Sequence, residues 1–168
     1  MGEVYNLLAG DQLEYNGYFD IQEVYYFIDS FFKDRGYDKW IEKEVDTDNG
    51  KERILDTTIK MVKKFSNYAQ GVMIIRIVAT IEKEEDILIG KEKKKMQYGN
   101  LRVIFEIIYL ETDYEGKWNK VPLLYVYRWF MDRFIAKKYN DAYISTILND
   151  HKELKKELKV FLGIRRLA

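Results

Sequence analysis

Residues 71–82 read "GVMIIRIVATIE", and the choice of fold class turns on this run. β-Branched residues stand on both of its alternating faces. That pattern predicts a central strand covered on both faces. The run is interrupted by Arg76 and is far shorter than the roughly 20 apolar residues that cross a bilayer as a helix. Downstream, the charged segment "KEEDILIGKEKKKMQYGN" (83–100) reads as a long hairpin tip or mobile loop, with residues 86–89 adding a little strand. "LRVIFEIIYLETDY" (101–114) resumes as a long strand.

Upstream, a return strand over 52–65 puts Leu55, Thr57, Ile59, Met61 and Phe65 on one face. Thr47-Asp48-Asn49-Gly50 supplies the hairpin turn before it, and Tyr37, Ile41 and Val45 mark the partner strand. A helix is expected over 21–35. Asp20 serves as its N-cap, Glu23 completes a capping-box-like pair, and Gly36 closes the last turn. Asn16-Gly17 in "YNGYFD" (15–20) reads as a turn leading into that helix. After a turn at Glu115-Gly116-Lys117, Pro122 opens a helix over 122–139 that is apolar nearly all round. Asn140 or Asp141 starts the last helix, with Ile144, Ile147, Leu148, His151, Leu154, Leu158, Phe161 and Leu162 as its stripe.

The expected fold is therefore α+β: one N-terminal helix, a curved antiparallel sheet of four or five long strands, and two C-terminal helices packed on one face. With a single proline and no internal repeat or linker, residues 1–168 are expected to form one domain. A curved sheet gripping a long helix resembles helix-grip lipid-binding folds, in which that arrangement encloses an apolar cavity.

Lysine and arginine (28) balance aspartate and glutamate (28), so no global field steers the chain to nucleic acid or an anionic membrane. With no cysteine, disulfides, thiolate catalysis and Cys-ligated metal sites are excluded. The N-terminal residues carry no signal peptide pattern, which gives a cytoplasmic expectation with no membrane span.

Candidate chemistry is sparse. His151, the single histidine, falls on the apolar stripe of the last helix and reads as a packed boundary residue. Asp46, Asp48 and Asn49 before Gly50 fail the calcium-loop spacing and suit the hairpin turn. Glu111, Asp113 and Glu115 alternate at a strand end and read as solvated. No nucleophile triad, phosphate loop or zinc motif is present, so no catalytic, cofactor or metal residues are assigned and no enzyme is expected. Two basic clusters remain as candidate phosphate or partner contacts: Lys91, Lys93, Lys94 and Lys95, and a C-terminal group of Lys152, Lys155, Lys156, Lys159, Arg165 and Arg166. Tyr15, Tyr18 and Tyr98 are candidate exposed aromatics.

"YNGYFD", then "RGYD" (35–38), then "YLETDYEGKW" (109–118) together resemble small archaeal proteins of similar length. The resemblance implies a non-enzymatic cytoplasmic protein and carries no active-site residue. From the excess of aromatic and apolar side chains, the first functional expectation is a protein-interaction or self-assembly module. The alternatives are a binder of an apolar small molecule or lipid, and a nucleic-acid or ribosome-associated protein using the lysines.

Overall fold

The computed structural model describes residues 4–89, 92–112 and 137–163. Its elements in chain order are β1 (Val4–Phe19), α1 (Ile21–Asp34), β2 (Asp38–Asp48), β3 (Arg53–Lys64), β4 (Ala69–Ile89), β5 (Glu92–Thr112) and α2 (Lys137–Phe161). The strands form one sheet in the order β1-β5-β4-β3-β2, antiparallel at every pairing. β2 to β5 are successive neighbours, whereas β1 joins at the far edge beside β5. α1 thus carries the chain from one edge of the sheet to the other.

The run at 71–82 forms the middle of β4, the central strand. Its alternation sorts Met73, Ile75, Ile77, Ala79 and Ile81 into one core cluster with Ile21, Val24, Ile28, Phe31 and Phe32 of α1 and Ile147, Leu154 and Leu158 of α2. The other face holds buried Val72 and Val78, but it also carries charge. Arg76 donates twice to Asp56 of β3 (2.8 and 2.7 Å), with Lys43 of β2 and Glu106 of β5 extending a ladder of alternating sign across four strands. The expected two-sided cover is therefore apolar on the helix side and mixed on the other.

The expected helix arrangement is corrected at both ends. A 16-residue strand, β1, precedes α1, so no helix opens the fold. The Asn16-Gly17 turn does not form either: Asn16 pairs with Asn100 and Gly17 with Gly99 inside the β1–β5 ladder. Glycines at 10 and 17 and a bulge near Leu7 break the alternation that would have marked this strand. Among the described residues the C-terminal part holds one helix, α2 (Lys137–Phe161), which runs through Asn140 and Asp141 without a break. Both are weak helix formers rather than breakers, and the apolar stripe beyond them anchors the helix to the sheet. The helix expected over 122–139 lies outside the described residues except for its last three, which belong to α2.

Of the two readings of the charged segment 83–100, the long hairpin is the one found: its described residues, 83–89 and 92–100, are strand. β4 and β5 pair from Ala69↔Thr112 to Ile89↔Glu92, and β3 reaches β4 only as far as Ile81. β1 accompanies β5 as far as Gln97, so the hairpin is a two-stranded ribbon only beyond Glu84 and Gln97, with Lys95 of β5 bonded to Glu84 of β4 (2.5 Å). Where β3 ends beside β4 the register shifts at Ile81/Lys83, and Gly99 lies against the Thr80 carbonyl so closely that a Cβ there would sit 1.9 Å from its oxygen.

The start of α1 is as the sequence implies. The Asp20 carboxylate accepts from the backbone N–H groups of Gln22 (3.0 Å) and Glu23 (3.3 Å), and Arg35 caps the other end with Gly36 at φ 76°. Asp20→Ala should cost about 1 kcal/mol, read as a lowered urea midpoint at unchanged slope.

The two helices and the sheet meet at Asp150, which is 8% exposed. Tyr37 donates its hydroxyl to Asp150 Oδ2 (2.8 Å), Lys63 Nζ of β3 lies 3.3 Å from the same oxygen, and Arg35 Nε lies 3.5 Å from Oδ1. Burial, with the charge of Asp150 and the hydrogen bond to it, pushes the Tyr37 phenol far up, so it remains a donor. Arg35 also reaches Glu153 (2.9 Å) and stacks over Phe31 (3.6 Å to the ring centroid). Phe27 stacks on Phe161 between the two helices.

Candidate functional site

α2 presents two flanks beside its buried stripe. One faces α1 through Asp150, Glu153 and Phe161. The other carries Leu148, Lys152, Lys155, Lys156 and Lys159, whose three- and four-residue spacings keep them on one side. Between that flank and β1 runs an open groove of about 840 Å³. Leu7, Leu8, Leu148 and Val160 supply its apolar lining, and its polar lining is four lysines against one carboxylate, Asp11, with His151. This groove lies along the β1 edge. A smaller hollow of about 180 Å³ lies between α1 and β2, beside Tyr25, Ile41 and Thr57.

β1 brings Asp11 to the groove because it pairs with Phe105 and so points to the helix-bearing face. Lys155 Nζ donates to Asp11 Oδ1 (2.5 Å). His151 Nε2 is wholly buried and lies 3.0 Å from Asp11 Oδ2. The imidazole is 6% exposed and meets the Phe105 ring edge-on, centroids 4.5 Å apart. Burial works to raise the Asp11 carboxyl, but the hydrogen bond and charge of Lys155 and the charge of His151 outweigh it and hold it low. Burial lowers the His151 imidazole, seconded by Lys155 and Lys152, while Asp11 opposes it.

From the sequence His151 reads as a packed boundary residue; it is packed but buried, and that burial has a measurable consequence. A base whose pKa is lower in the folded state binds its proton preferentially when unfolded. Its contribution to stability is full above the unfolded value of about 6.5 and is lost as pH falls below it. Stability measured by urea unfolding should decline from pH 7.5 to 5.5, and His151→Phe should flatten that slope.

The other candidate residues are dispersed. Lys94 pairs with Glu23 and lies 3.5 Å from Asp20, Lys95 is committed to Glu84, and Lys93 is exposed. Lys91, Arg165 and Arg166 lie outside the described residues. Tyr15 is half-buried and donates to the Tyr18 carbonyl. Tyr18 donates to Glu85 and packs against Tyr98 (4.9 Å) with Lys83 above both rings. The Asp48–Gly50 turn forms, with the Gly50 N–H on Asp48 Oδ1 (2.8 Å), and Asp46 accepts from Arg53 Nε and Nη2. Glu111 accepts from Gln70 (2.8 Å), and Asp113 and Glu115 fall outside the described residues.

Leu7, Leu8 and Asp11 were not among the sequence candidates. The only local signal was an aspartate directly after a glycine in an otherwise apolar segment. Among the described residues no cluster of acidic, histidine or cysteine side chains is arranged to hold a metal ion, and no helix is long and apolar enough to cross a membrane. Compared with protein-family models, curated proteins and solved structures, the chain matches none of them.

Proposed function

We propose that this is a non-catalytic binding protein whose groove between β1 and α2 takes a small anionic amphiphile. The observation that carries the reading is the groove's lining: an apolar floor beside four lysines, in a chain whose total charge is zero. Its volume falls in the usual range of ligand sites. Among the described residues, Lys155 alone of the four is bonded to an acid, which leaves Lys152, Lys156 and Lys159 for a ligand. Among the described residues no serine, threonine or tyrosine hydroxyl lines the groove beside His151, which favours binding over covalent catalysis. A cytoplasmic setting belongs to the same proposal.

Displacement of anilinonaphthalene sulfonate tests it. Palmitate should displace the dye at least tenfold better than hexadecanol, and Lys152→Glu with Lys156→Glu should remove that preference. Equal displacement by acid and alcohol would contradict the reading.

A second reading, association with a protein partner or another copy, draws on edge strand β2, exposed along its whole length. Trp40 (64% exposed) and Ile41 (59%) stand on it, and Tyr26 (76%) stands on α1. Sedimentation checks it: Trp40→Lys should convert any dimer to monomer.

A further inference from the structure

We infer that edge strand β2 pairs with β2 of a second copy of this chain, antiparallel about a two-fold axis, in the register that sets Lys39 opposite Asp46 and Trp40 opposite Val45. The inference rests on the second reading above, that β2 is an association edge, and names its occupant. Among the described residues β2 pairs with β3 alone, and every residue from Asp38 to Asp48 is exposed. Alternate N–H and C=O groups on its outer side therefore point away from the sheet, where a second antiparallel strand would take them.

The side chains of β2 divide between two faces, and a bulge sets how they can meet a second strand. Lys39, Ile41 and Glu44 line the hollow beside α1, and Asp46 pairs with Leu55, which packs on the core. Lys43 and Val45 turn to the other face: Lys43 lies 3.4 Å from Asp56, the residue that Val45 pairs with. Trp40 shares that face, since it stands between Lys39 and Ile41 on a strand whose side chains alternate. The bulge between Ile41 and Lys43 thus moves the helix-side set from odd positions before it to even positions after it. Residues directly opposite in an antiparallel pair point to the same face, so odd positions before the bulge must meet even positions after it.

One such register matches the side chains throughout. Lys39 meets Asp46, Trp40 meets Val45, Ile41 meets Glu44, and Glu42 meets Lys43 beside the axis, each pair occurring twice by symmetry. No like charges stand opposite one another. Lys39 already holds Asp29 of its own copy (2.7 Å) and Asp46 holds Arg53 (2.7 Å), so the new contact joins four charges of alternating sign. Trp40, 64% exposed, gains β-branched Val45, 39% exposed, as its cross-strand neighbour. A slip of one residue sets Glu42 against Glu42 or Lys43 against Lys43, and a slip of two replaces Val45 by Lys43 or Thr47. Bulges and lysines ordinarily keep edge strands from pairing indiscriminately; here they confine pairing to a single register. The chain's zero net charge sets up no general repulsion between copies.

Sedimentation velocity of the full chain with two charge reversals, Lys39→Asp and Asp46→Lys, tests the inference. The unaltered protein should dimerise. Either reversal alone should weaken dimerisation about tenfold or more, because it sets like charges opposite each other twice. An equimolar mixture of the two variants should dimerise to within about threefold of the unaltered protein, since in the mixed pair every introduced charge meets its opposite. Both reversals in one chain should likewise restore the dimer. Single variants that dimerise as well as the unaltered protein, or a mixture no better than either variant alone, would overturn the inference. In that case loss of the dimer in Trp40→Lys would keep β2 as the association edge, and its persistence would overturn that reading as well. An unaltered chain that stays monomeric up to about 1 mM would overturn self-association altogether, whatever the variants do.

Discussion

Gly99→Ala is expected to lower the stability of the protein by about 3 kcal/mol, toward the upper end of what overpacking costs. The added Cβ would lie 1.9 Å from the Thr80 carbonyl oxygen and 3.0 Å from its carbonyl carbon. Both atoms are backbone of the central strand, so no side chain can turn aside, and either β4 or β5 must move. Three features meet at this point: Gly99, its partner Gly17 on β1, and the register shift at Ile81/Lys83. Gly10→Ala is the control. Gly10 is at φ 73°, but a Cβ there meets nothing within 4 Å, so only the left-handed backbone penalises alanine, by about 1 kcal/mol. Urea unfolding of the two variants should separate close approach from backbone conformation.

Asp150→Ala is expected to cost about 3 kcal/mol. Removing one member of a buried charged network costs roughly 3–5 kcal/mol because its partners stay behind unpaired. Here the lower end applies, since Lys63 and Arg35 keep 20% and 26% of their side-chain surface and can turn partly to water. Tyr37 cannot, and its hydroxyl would be left buried. Tyr37→Phe removes the donor rather than the acceptor and should cost about 1 kcal/mol. If Asp150→Ala cost no more than Tyr37→Phe, the lysine and arginine would be spectators.

These two sites differ in how far the sequence announces them. The Asp20 cap, the Gly36 stop and the Asp48–Gly50 turn were legible because each depends on residues two or three positions apart. The strand at 71–82 was legible because its neighbours on both sides cover it. β1 was not, because what makes Val4–Phe19 a strand is β5, about a hundred residues away, and glycines at 10 and 17 disguise its period. For 83–100 the sequence leaves a long hairpin tip and a mobile loop both open, because exposed charge on both strands looks like solvated coil; Lys95–Glu84 and Lys94–Glu23 tie the hairpin to itself and to α1.

The candidate site divides in the same way. His151 could be placed on a helix stripe, and the lysines four residues apart could be placed together. Nothing local joins His151 to Asp11, 140 positions earlier, or sets Leu7 and Leu8 opposite Lys156. The groove exists only once β1 has been laid along the sheet edge. That is why the lysines read as the polar face of a terminal helix until the strand beside them is known.

The most direct measurement of the central claim is a two-dimensional NMR titration of the protein with palmitate below its micelle concentration. Shifts should concentrate on the amides of Leu7, Leu8 and Asp11 and on residues 148–160, saturating together at one equivalent. Shifts centred instead on Trp40 and Ile41 of β2, or spread without saturation, would contradict a ligand site between β1 and α2.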